Sequence, residues 1–232
     1  MLSGITTLFF DFGGTLAYSA HTRLENIRNF LGRLGFSPRD EDIIAGMERA
    51  EEYVRDFRSR YGYRKPRRER HWYFWCRYVA ESALPPGADV DLVAGKMYRS
   101  MIFPYRIYPE TIPTLKMVRS LGYKAGIISN WDAPTLRRYC TSLGITRFFD
   151  VILPSREAEC DKPGREIFEM ALDLIGSSPS ESVHISDSYE ADVLGAAGAG
   201  ITPIWINRNR DMRRDSCITV YSLDEIFNHL QR

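Results

Sequence analysis

The pattern of apolar and polar residues along the chain separates two kinds of region. Near the N-terminus the apolar run 8–10 stops at Asp11 and is followed by two glycines, which is typical of a buried strand that enters a tight turn. Between residues 17 and 104, apolar residues recur every three or four positions in four successive segments. This spacing predicts four helices without a strand, so we expect an all-helical insert after the first strand.

From residue 105 onward, short apolar runs alternate with amphipathic segments. Strands are predicted at residues 124–129, 151–154, 182–186 and 201–206, and helices at residues 110–121, 133–143, 164–175, 191–199 and 223–230. Strands that are separated by single helices favour an α/β fold with a doubly wound parallel sheet. The first strand must join this sheet, so we expect a core domain of residues 1–16 and 105–232 and a four-helix cap domain of residues 17–104.

Composition and charge limit the kinds of molecule that this chain is expected to bind. The 232 residues carry 31 basic and 30 acidic side chains, and a net charge of +1 gives no general attraction for nucleic acid. No apolar run approaches the ~20 residues that cross a bilayer. The four cysteines lie far apart, which fits reduced thiols better than disulfides or a zinc site. We expect a soluble, cytoplasmic protein with a small anionic molecule as its partner, and the oligomeric state stays open.

Candidate chemistry begins directly after the first strand. Ligands of open parallel sheets bind beyond the carboxyl ends of the strands, which is where Asp11 is predicted to lie. Gly13 and Gly14 would let backbone amides approach an anion, and Thr15 could cap the next segment or hydrogen-bond an oxyanion. A strand that ends in a capping aspartate is the alternative for this stretch alone.

Three later motifs add polar residues at the same edge of the sheet. Ser129-Asn130 ends one strand, where a helix cap is the alternative, and Lys162 precedes a proline and a helix, where a surface lysine is the alternative. Asp187 ends another strand, with Asp192 five residues later. Two neighbouring carboxylates repel each other unless a cation or a proton lies between them. Together with Asp11 they predict a hard-oxygen site for Mg²⁺.

These four motifs, in this order, resemble those of the haloacid dehalogenase superfamily of hydrolases. The resemblance covers about residues 5–16 and 105–206, and the helical insert resembles the cap that this family carries after its first motif. It implies that Asp11 is a nucleophile that forms a covalent aspartyl intermediate. It also implies that Mg²⁺ is held by Asp11, the carbonyl group of Gly13 and Asp187.

The resemblance assigns roles to the remaining motif residues as well. Thr15 and Ser129 would hydrogen-bond the transferring group, and Lys162 would neutralise its charge and hold the nucleophile. Asp192 would orient water or the lysine. Together with the nucleophile, these are the expected catalytic residues. The expected substrate contacts are Gly14, Ser129, Asn130 and Lys162.

The sequence departs from the family at Gly13. Family phosphatases usually carry a second aspartate there, which protonates the leaving alkoxide and then activates water, and such catalysis contributes ~10²- to 10⁴-fold. A cap residue, a water molecule or the substrate itself could serve instead, and without a substitute the rate should depend strongly on the leaving group.

Three interpretations follow from this departure. We favour a Mg²⁺-dependent phosphatase that acts on a small phosphorylated metabolite, because only a cation-dependent reaction needs both Asp187 and Asp192. The alternatives are a dehalogenase, whose halide leaves unprotonated, and a non-catalytic protein that binds a phosphorylated ligand or a partner. A phosphonate-cleaving enzyme would need a cap lysine near the nucleophile, and no spacing supports Lys65 or Lys96 in that role.

The predicted cap contains a basic and aromatic stretch at residues 55–70, with a net charge of +6. The favoured interpretation is a solvated helix–loop–helix face; a surface that attracts the anionic substrate, or one that binds single-stranded nucleic acid, is the alternative. Helical spacing predicts that Trp72, Trp75, Cys76 and Val79 form the core of the cap. We expect His184 to be a structural residue with satisfied hydrogen bonds. A solvated loop should contain Arg208, Arg210, Arg213 and Arg214.

Overall fold

The structure is a computed structural model that describes residues 1–63, 71–101, 103–131, 133–210 and 216–231. Its strands are Thr7–Phe10 (β1), Ala17–Ser19 (β2), Tyr105–Ile107 (β3), Lys124–Ser129 (β4), Val151–Pro154 (β5), Ser182–Ser186 (β6), Thr202–Ile206 (β7) and Ile218–Val220 (β8). Its α-helices are Arg23–Arg33 (α1), Asp40–Tyr61 (α2), His71–Ala83 (α3), Val90–Ser100 (α4), Thr111–Ser120 (α5), Ala133–Ser142 (α6), Ser155–Ala158 (α7), Arg165–Ile175 (α8) and Leu194–Gly198 (α9). By contacts the chain divides into two compact units, one mainly of Met1–Tyr18 and Tyr105–Arg232, the other mainly of Ser19–Gly62 and Pro66–Pro104.

The first unit is built on a six-stranded parallel sheet with the strand order β5-β4-β1-β6-β7-β8. Successive side chains of β1 enter different cores: Leu8 and Phe10 pack in one apolar cluster, whereas Phe9 packs in another with α8 and α9. A strand that is covered on both faces needs apolar residues at every position, which explains the continuous run at 8–10. The predicted doubly wound α/β fold is confirmed.

The second unit contains α1 to α4, which confirms the helical nature of the insert. Its apolar core includes Trp75, Cys76 and Val79, with Trp72 partly buried against it, as the helical spacing predicted. The helices α2 and α3 approach closely at Gly46, where an added Cβ would lie 2.8 Å from the Cα of Val79. Any larger side chain at this position would force the two helices apart.

The basic stretch of the insert is described only in part. Arg55, Arg58 and Arg60 are exposed on α2, and Arg60 forms an ion pair with Asp56. The remaining basic positions of the stretch, together with Lys65, lie outside the described residues at 64–70.

Three elements differ from the sequence-based expectation. A second sheet of β2 and β3 lies where only the beginning of the insert and a loop were expected. The short segment β8, rich in β-branched residues, adds a sixth strand to the parallel sheet. Residues Leu223–Asn228 form a 3₁₀-helix in place of the expected α-helix. The helix expected at 191–199 begins with one π-helical turn, Tyr189–Val193. In this wide turn the amide groups of Asp192 and Val193 both donate to the carbonyl group of Ser188 at 3.2 Å.

Within the described ranges, none of the helices has both the length and the apolar character needed to cross a bilayer.

Candidate active site

The sheet brings the predicted polar residues together at its carboxyl edge. Asp11 follows β1 directly, and its backbone amide donates to the carbonyl group of Ile185 in β6 at 3.0 Å. Ser129 ends β4, and Asp187 follows β6. The strands β4 and β5 lie on one side of β1, and β6, β7 and β8 lie on the other, so the direction of strand addition reverses at β1. Asp11, Ser129 and Asp187 therefore surround the topological switch point of the sheet.

Lys162 is the centre of a buried network of charges. Its Nζ donates to Oδ1 of Asp11 at 2.6 Å, to Oδ1 of Asp192 at 2.6 Å and to the carbonyl oxygen of Ile128 at 2.9 Å. The Lys162 side chain is only 2% exposed. Ser129 also donates to Oδ1 of Asp11, at 3.1 Å. Lys162 and Ser129 therefore fix one oxygen of Asp11, the candidate nucleophile. The positive charge of Lys162 is paired with Asp11 and Asp192.

Asn130 contacts the main chain of Lys162 through its side-chain amide. Its Oδ1 accepts from the backbone amide of Lys162 at 2.8 Å, and its Nδ2 donates to the carbonyl oxygen of the same residue at 3.1 Å. Both polar ends of the side chain hold the main chain that carries the lysine. The expected contact of Asn130 with the substrate stays a prediction.

In addition to Lys162, Asp192 contacts His184. Nε2 of His184 lies 2.6 Å from Oδ1 of Asp192, and both side chains are buried. The expectation that this histidine is satisfied is only half right, because its Nδ1 has no hydrogen-bond partner among the described residues. The network thus extends from Asp11 through Lys162 and Asp192 to a histidine inside β6.

The pKa values of the four charged groups reflect this crowding. Burial raises the pKa of Asp11 above its ordinary value despite the opposing effect of Lys162. Desolvation by the surrounding protein, with the charges of Asp11 and Asp192 adding to it, raises the pKa of Asp187 to about 7. Burial also opposes charge on Lys162 and Asp192, but their mutual attraction and the neighbouring groups outweigh it, so that the pKa of Lys162 is raised and that of Asp192 is lowered.

The turn after the nucleophile candidate is shaped around Asp187. Gly14 has a φ of +82°, and an added Cβ would lie 2.0 Å from Oδ2 of Asp187. Thr15 is fully buried; its Oγ1 accepts from the amide of Asp187 at 3.1 Å and donates to Oδ1 of that residue at 3.3 Å. These two contacts place the Asp187 carboxylate against the turn, and the expected contact of Thr15 with a transferring group stays a prediction.

Replacing Gly14 by alanine should disrupt this arrangement. The positive φ alone costs about 1–2 kcal/mol for a residue with a Cβ. The overlap with Asp187 adds to it, and we expect a total loss of about 3 kcal/mol or more in the free energy of unfolding, together with a fall in turnover of ~10²-fold or more. Gly176→Ala is the matched control: Gly176 also has a positive φ, but the nearest atom to its added Cβ, Nζ of Lys124, lies 3.8 Å away.

Urea unfolding and steady-state rates of the two variants would test this prediction. The control should lose only the cost of the positive φ, about 1–2 kcal/mol, and keep its activity. Equal destabilisation by both substitutions would show that the approach of Asp187 to Gly14 contributes nothing beyond backbone strain.

Arg208 corrects a sequence-based expectation. It follows β7 after one residue, and its guanidinium group donates to the carbonyl oxygens of Gly14 at 3.0 Å and Thr15 at 2.8 Å. It also pairs with Glu110 at 2.6 Å and lies 3.5 Å from the centre of the Tyr108 ring. Arg208 is thus a clamp on the turn rather than part of a solvated loop. The position of Arg208 two residues after the end of a predicted strand is the sequence signal that could have indicated this contact with the turn.

The other arginines of this segment differ from Arg208. Arg210 is exposed and lies over the ring of Tyr221. Arg213 and Arg214 lie outside the described residues.

Comparison with known families decides the classification of this arrangement. Residues 5–200 match the family model described as haloacid dehalogenase-like hydrolase. The chain belongs to the haloacid dehalogenase-like hydrolases. The predicted family, and the prediction that the chain is a hydrolase, are confirmed.

Individual members of the haloacid dehalogenase-like hydrolases are similar over nearly the whole chain. A glyceraldehyde 3-phosphate phosphatase from Methanopyrus kandleri is 29% identical over 95% of this chain and 93% of its own. The structure of a phosphatase of this family from Thermococcus onnurineus is 26% identical, covers 97% of both chains and has a TM-score of 0.61. A 2-haloacid dehalogenase from Pseudomonas syringae, at 20% identity and a TM-score of 0.70, shares the fold. Further relatives named as phosphatases match over about half of their own length.

The donor set around Asp11 fits the Mg²⁺ ion that this family of phosphatases generally uses. The expected ligands, Asp11, the carbonyl group of Gly13 and Asp187, are hard oxygen donors of the kind that Mg²⁺ prefers. In the described part of the chain, no three His, Cys, Asp or Glu side chains converge as a ready-made metal site. The expected set contains only two carboxylates and needs no such cluster. Lys162 already pairs with Asp11 and Asp192, so Asp187 is the carboxylate of this edge whose charge a bound cation would neutralise.

Proposed function

We propose that this chain is a Mg²⁺-dependent phosphatase that transfers the phosphoryl group of a small phosphorylated metabolite to Asp11 and then to water. The observation that carries the proposal is the fixed carboxylate of Asp11. Lys162 and Ser129 both bond its Oδ1, which orients the other oxygen as the attacking atom. A nucleophile that is held in this way needs little further ordering before attack.

The residues around Asp11 compensate the charges that meet in the reaction. A phosphomonoester dianion repels a carboxylate, and Lys162 places a positive charge at the attacking group. Asp11, Gly13 O and Asp187 would hold Mg²⁺, and the bound ion would neutralise the negative charge of the phosphate. Thr15 and Arg208 keep the turn and Asp187 in place for this purpose. Asp192 holds Lys162 through a second contact with its Nζ, at 2.6 Å.

The phosphate ester is favoured over a carbon–halogen substrate for a physical reason. Displacement of a halide needs no cation, whereas in this site a glycine with positive φ and a buried threonine place Asp187 as a second carboxylate beside Asp11. The Methanopyrus kandleri relative and the Thermococcus onnurineus structure, which are at least 26% identical over nearly the whole chain, are named as phosphatases, which supports the same choice. The names of two relatives point to phosphorylated three-carbon compounds as the first substrates to test.

Phosphate release from p-nitrophenyl phosphate, measured with Mg²⁺ and with EDTA, should test this proposal. We expect release only with the ion, and Asp187→Asn should abolish the stimulation because the substitution removes one of two carboxylate ligands. Chloride release from 2-chloropropionate in the same buffer is the contrasting assay. Metal-independent chloride release would establish a dehalogenase instead, and no activity in either assay would favour a non-catalytic binding protein.

Active protein would then be tested on a panel of metabolites. Glyceraldehyde 3-phosphate and phosphoserine are the natural first members, since relatives are named for phosphatases that act on them.

A further inference from the structure

His184 is a polar residue among apolar neighbours in the parallel sheet. It lies in the middle of β6, between Phe9 of β1 and Pro203 of β7, and its side chain is fully buried. The ring of Phe168 in α8 packs edge to face against it, with 5.3 Å between the ring centres. Its Nδ1 has no hydrogen-bond partner in the described part of the chain. An apolar side chain would pack here at a lower cost, because burial of an unpaired polar nitrogen is unfavourable.

The other ring nitrogen of His184 makes a specific contact. Nε2 lies 2.6 Å from Oδ1 of Asp192, the same oxygen that accepts from Nζ of Lys162 at 2.6 Å. The lowered pKa of Asp192 means that its carboxylate is ionised at neutral pH and can only accept, so Nε2 carries the proton of this contact. Oδ1 of Asp192 is therefore held between an imidazole group of the sheet and the ammonium group of Lys162.

The three acceptors of the Lys162 ammonium group are supported by three neighbouring strands. The carbonyl group of Ile128 belongs to β4, and Asp11 follows β1 directly. Asp192 lies instead in the π-helical turn beyond β6, outside the sheet. Its contact with His184 ties its carboxylate to β6, so that β4, β1 and β6 each hold one acceptor. Because an ammonium group has three protons, this arrangement directs all of them.

We propose that His184 is a positioning residue for the reaction, an inference that rests on the proposed phosphoryl transfer to Asp11. It fixes the carboxylate of Asp192 to β6 and, through that carboxylate, holds the ammonium group of Lys162 against Asp11. Without this contact the carboxylate can turn away, and the ammonium group loses one of its three fixed directions. The charge beside the nucleophile then shifts together with the Asp11 oxygen that it bonds. Misplacement by about 1 Å, caused by a residue remote from the chemistry, can cost ~10²-fold in rate.

Two substitutions separate the hydrogen bond of His184 from the packing of its ring. Both His184→Leu and His184→Gln remove the ring from Phe168, but only glutamine keeps a donor that reaches about as far as Nε2. We expect His184→Leu to lower kcat for p-nitrophenyl phosphate by ~10²-fold, and His184→Gln to recover most of this loss. Thermal unfolding would show that both variants are folded at the assay temperature. If leucine prevents folding, His184→Asn takes its place, because the shorter amide cannot reach Asp192.

A double-mutant cycle with Lys162 gives a readout that a merely structural role of His184 would not move. In Lys162→Met there is no ammonium group left to misplace. Adding His184→Leu to that variant should therefore lower its remaining turnover by less than about threefold. A general weakening of the fold would instead lower the turnover of Lys162→Met by the same ~10²-fold as that of the wild-type protein.

The outcomes distinguish the role of His184 from the proposed function. If the wild-type protein releases phosphate but His184→Leu is equally fast, or His184→Gln is as slow as His184→Leu, the role of His184 is wrong and the phosphatase stands. An equal effect of His184→Leu with and without Lys162 would refute that role in the same way. If the wild-type protein releases no phosphate, the proposed function fails and the role of His184 fails with it.

Discussion

Replacement of Asp11 by asparagine should reduce phosphate release by about 10⁴-fold or more, the order of loss seen when a catalytic nucleophile is removed. Asparagine keeps the size of the side chain and an oxygen that can accept from Lys162 and Ser129. It cannot form the acyl phosphate, because an amide oxygen is a poor nucleophile. The chemistry should therefore disappear while the geometry of the site persists.

The fold of this variant should be preserved. Burial raises the pKa of Asp11, which means that the environment already favours a neutral group at this position. The melting temperature should therefore stay close to that of the wild-type protein or rise. Asp173→Asn, on the exposed face of α8, is the matched control for the loss of one carboxylate and should keep full activity.

Incorporation of phosphate from a labelled substrate gives a second readout for Asp11. The wild-type protein, quenched in acid during turnover, should carry phosphate on one aspartyl group, and Asp11→Asn should carry none. Substantial turnover by Asp11→Asn would contradict the assignment of the nucleophile, whatever its stability.

The sheet could be predicted from sequence because its signals are local. The continuous apolar run at 8–10 and the β-branched run at Ile127-Ile128 both mark strands that are covered on two faces, and the helices between the strands follow the 3.6-residue period. The elements that were missed are short. β2, β3 and β8 each have three residues, too few for a periodic pattern to be distinguished from a loop.

The site could be predicted as a set of residues, but the contacts within it could not. Parallel strands place their carboxyl ends side by side, so the positions of Asp11, Ser129 and Asp187 follow from the order of the elements. The partners of Thr15 and Asn130 depend on side-chain rotamers, which no sequence pattern specifies. Tertiary contacts over long separations in sequence therefore decide which polar group faces the substrate and which holds another residue.

One residue whose importance was missed illustrates the same limit. Arg208 reaches the turn from nearly two hundred residues away in sequence. It does not lie in a motif with recognisable spacing, so only the fold shows that it holds the turn.

Lys162→Met should destabilise the protein by about 3–5 kcal/mol and reduce turnover by ~10²- to 10³-fold. Methionine matches the length of the lysine stem but leaves Asp11 and Asp192 without the cation between them. The raised pKa of Lys162 and the lowered pKa of Asp192 indicate that both groups are charged throughout the neutral range, so the loss should be present at pH 7. Urea unfolding and steady-state kinetics would measure the two effects.

A double variant separates the uncompensated charge from the loss of the lysine itself. Asp192→Asn combined with Lys162→Met removes one buried carboxylate, so part of the stability should return while the activity stays low, because Asp11 still lacks its cation. Lys124→Met is the matched control: Lys124 donates to the carbonyl oxygens of Ile175 and Gly176 at the end of α8, away from the charged network. If Lys162→Met were as stable and as active as this control, the lysine could not be the group that compensates the buried carboxylates.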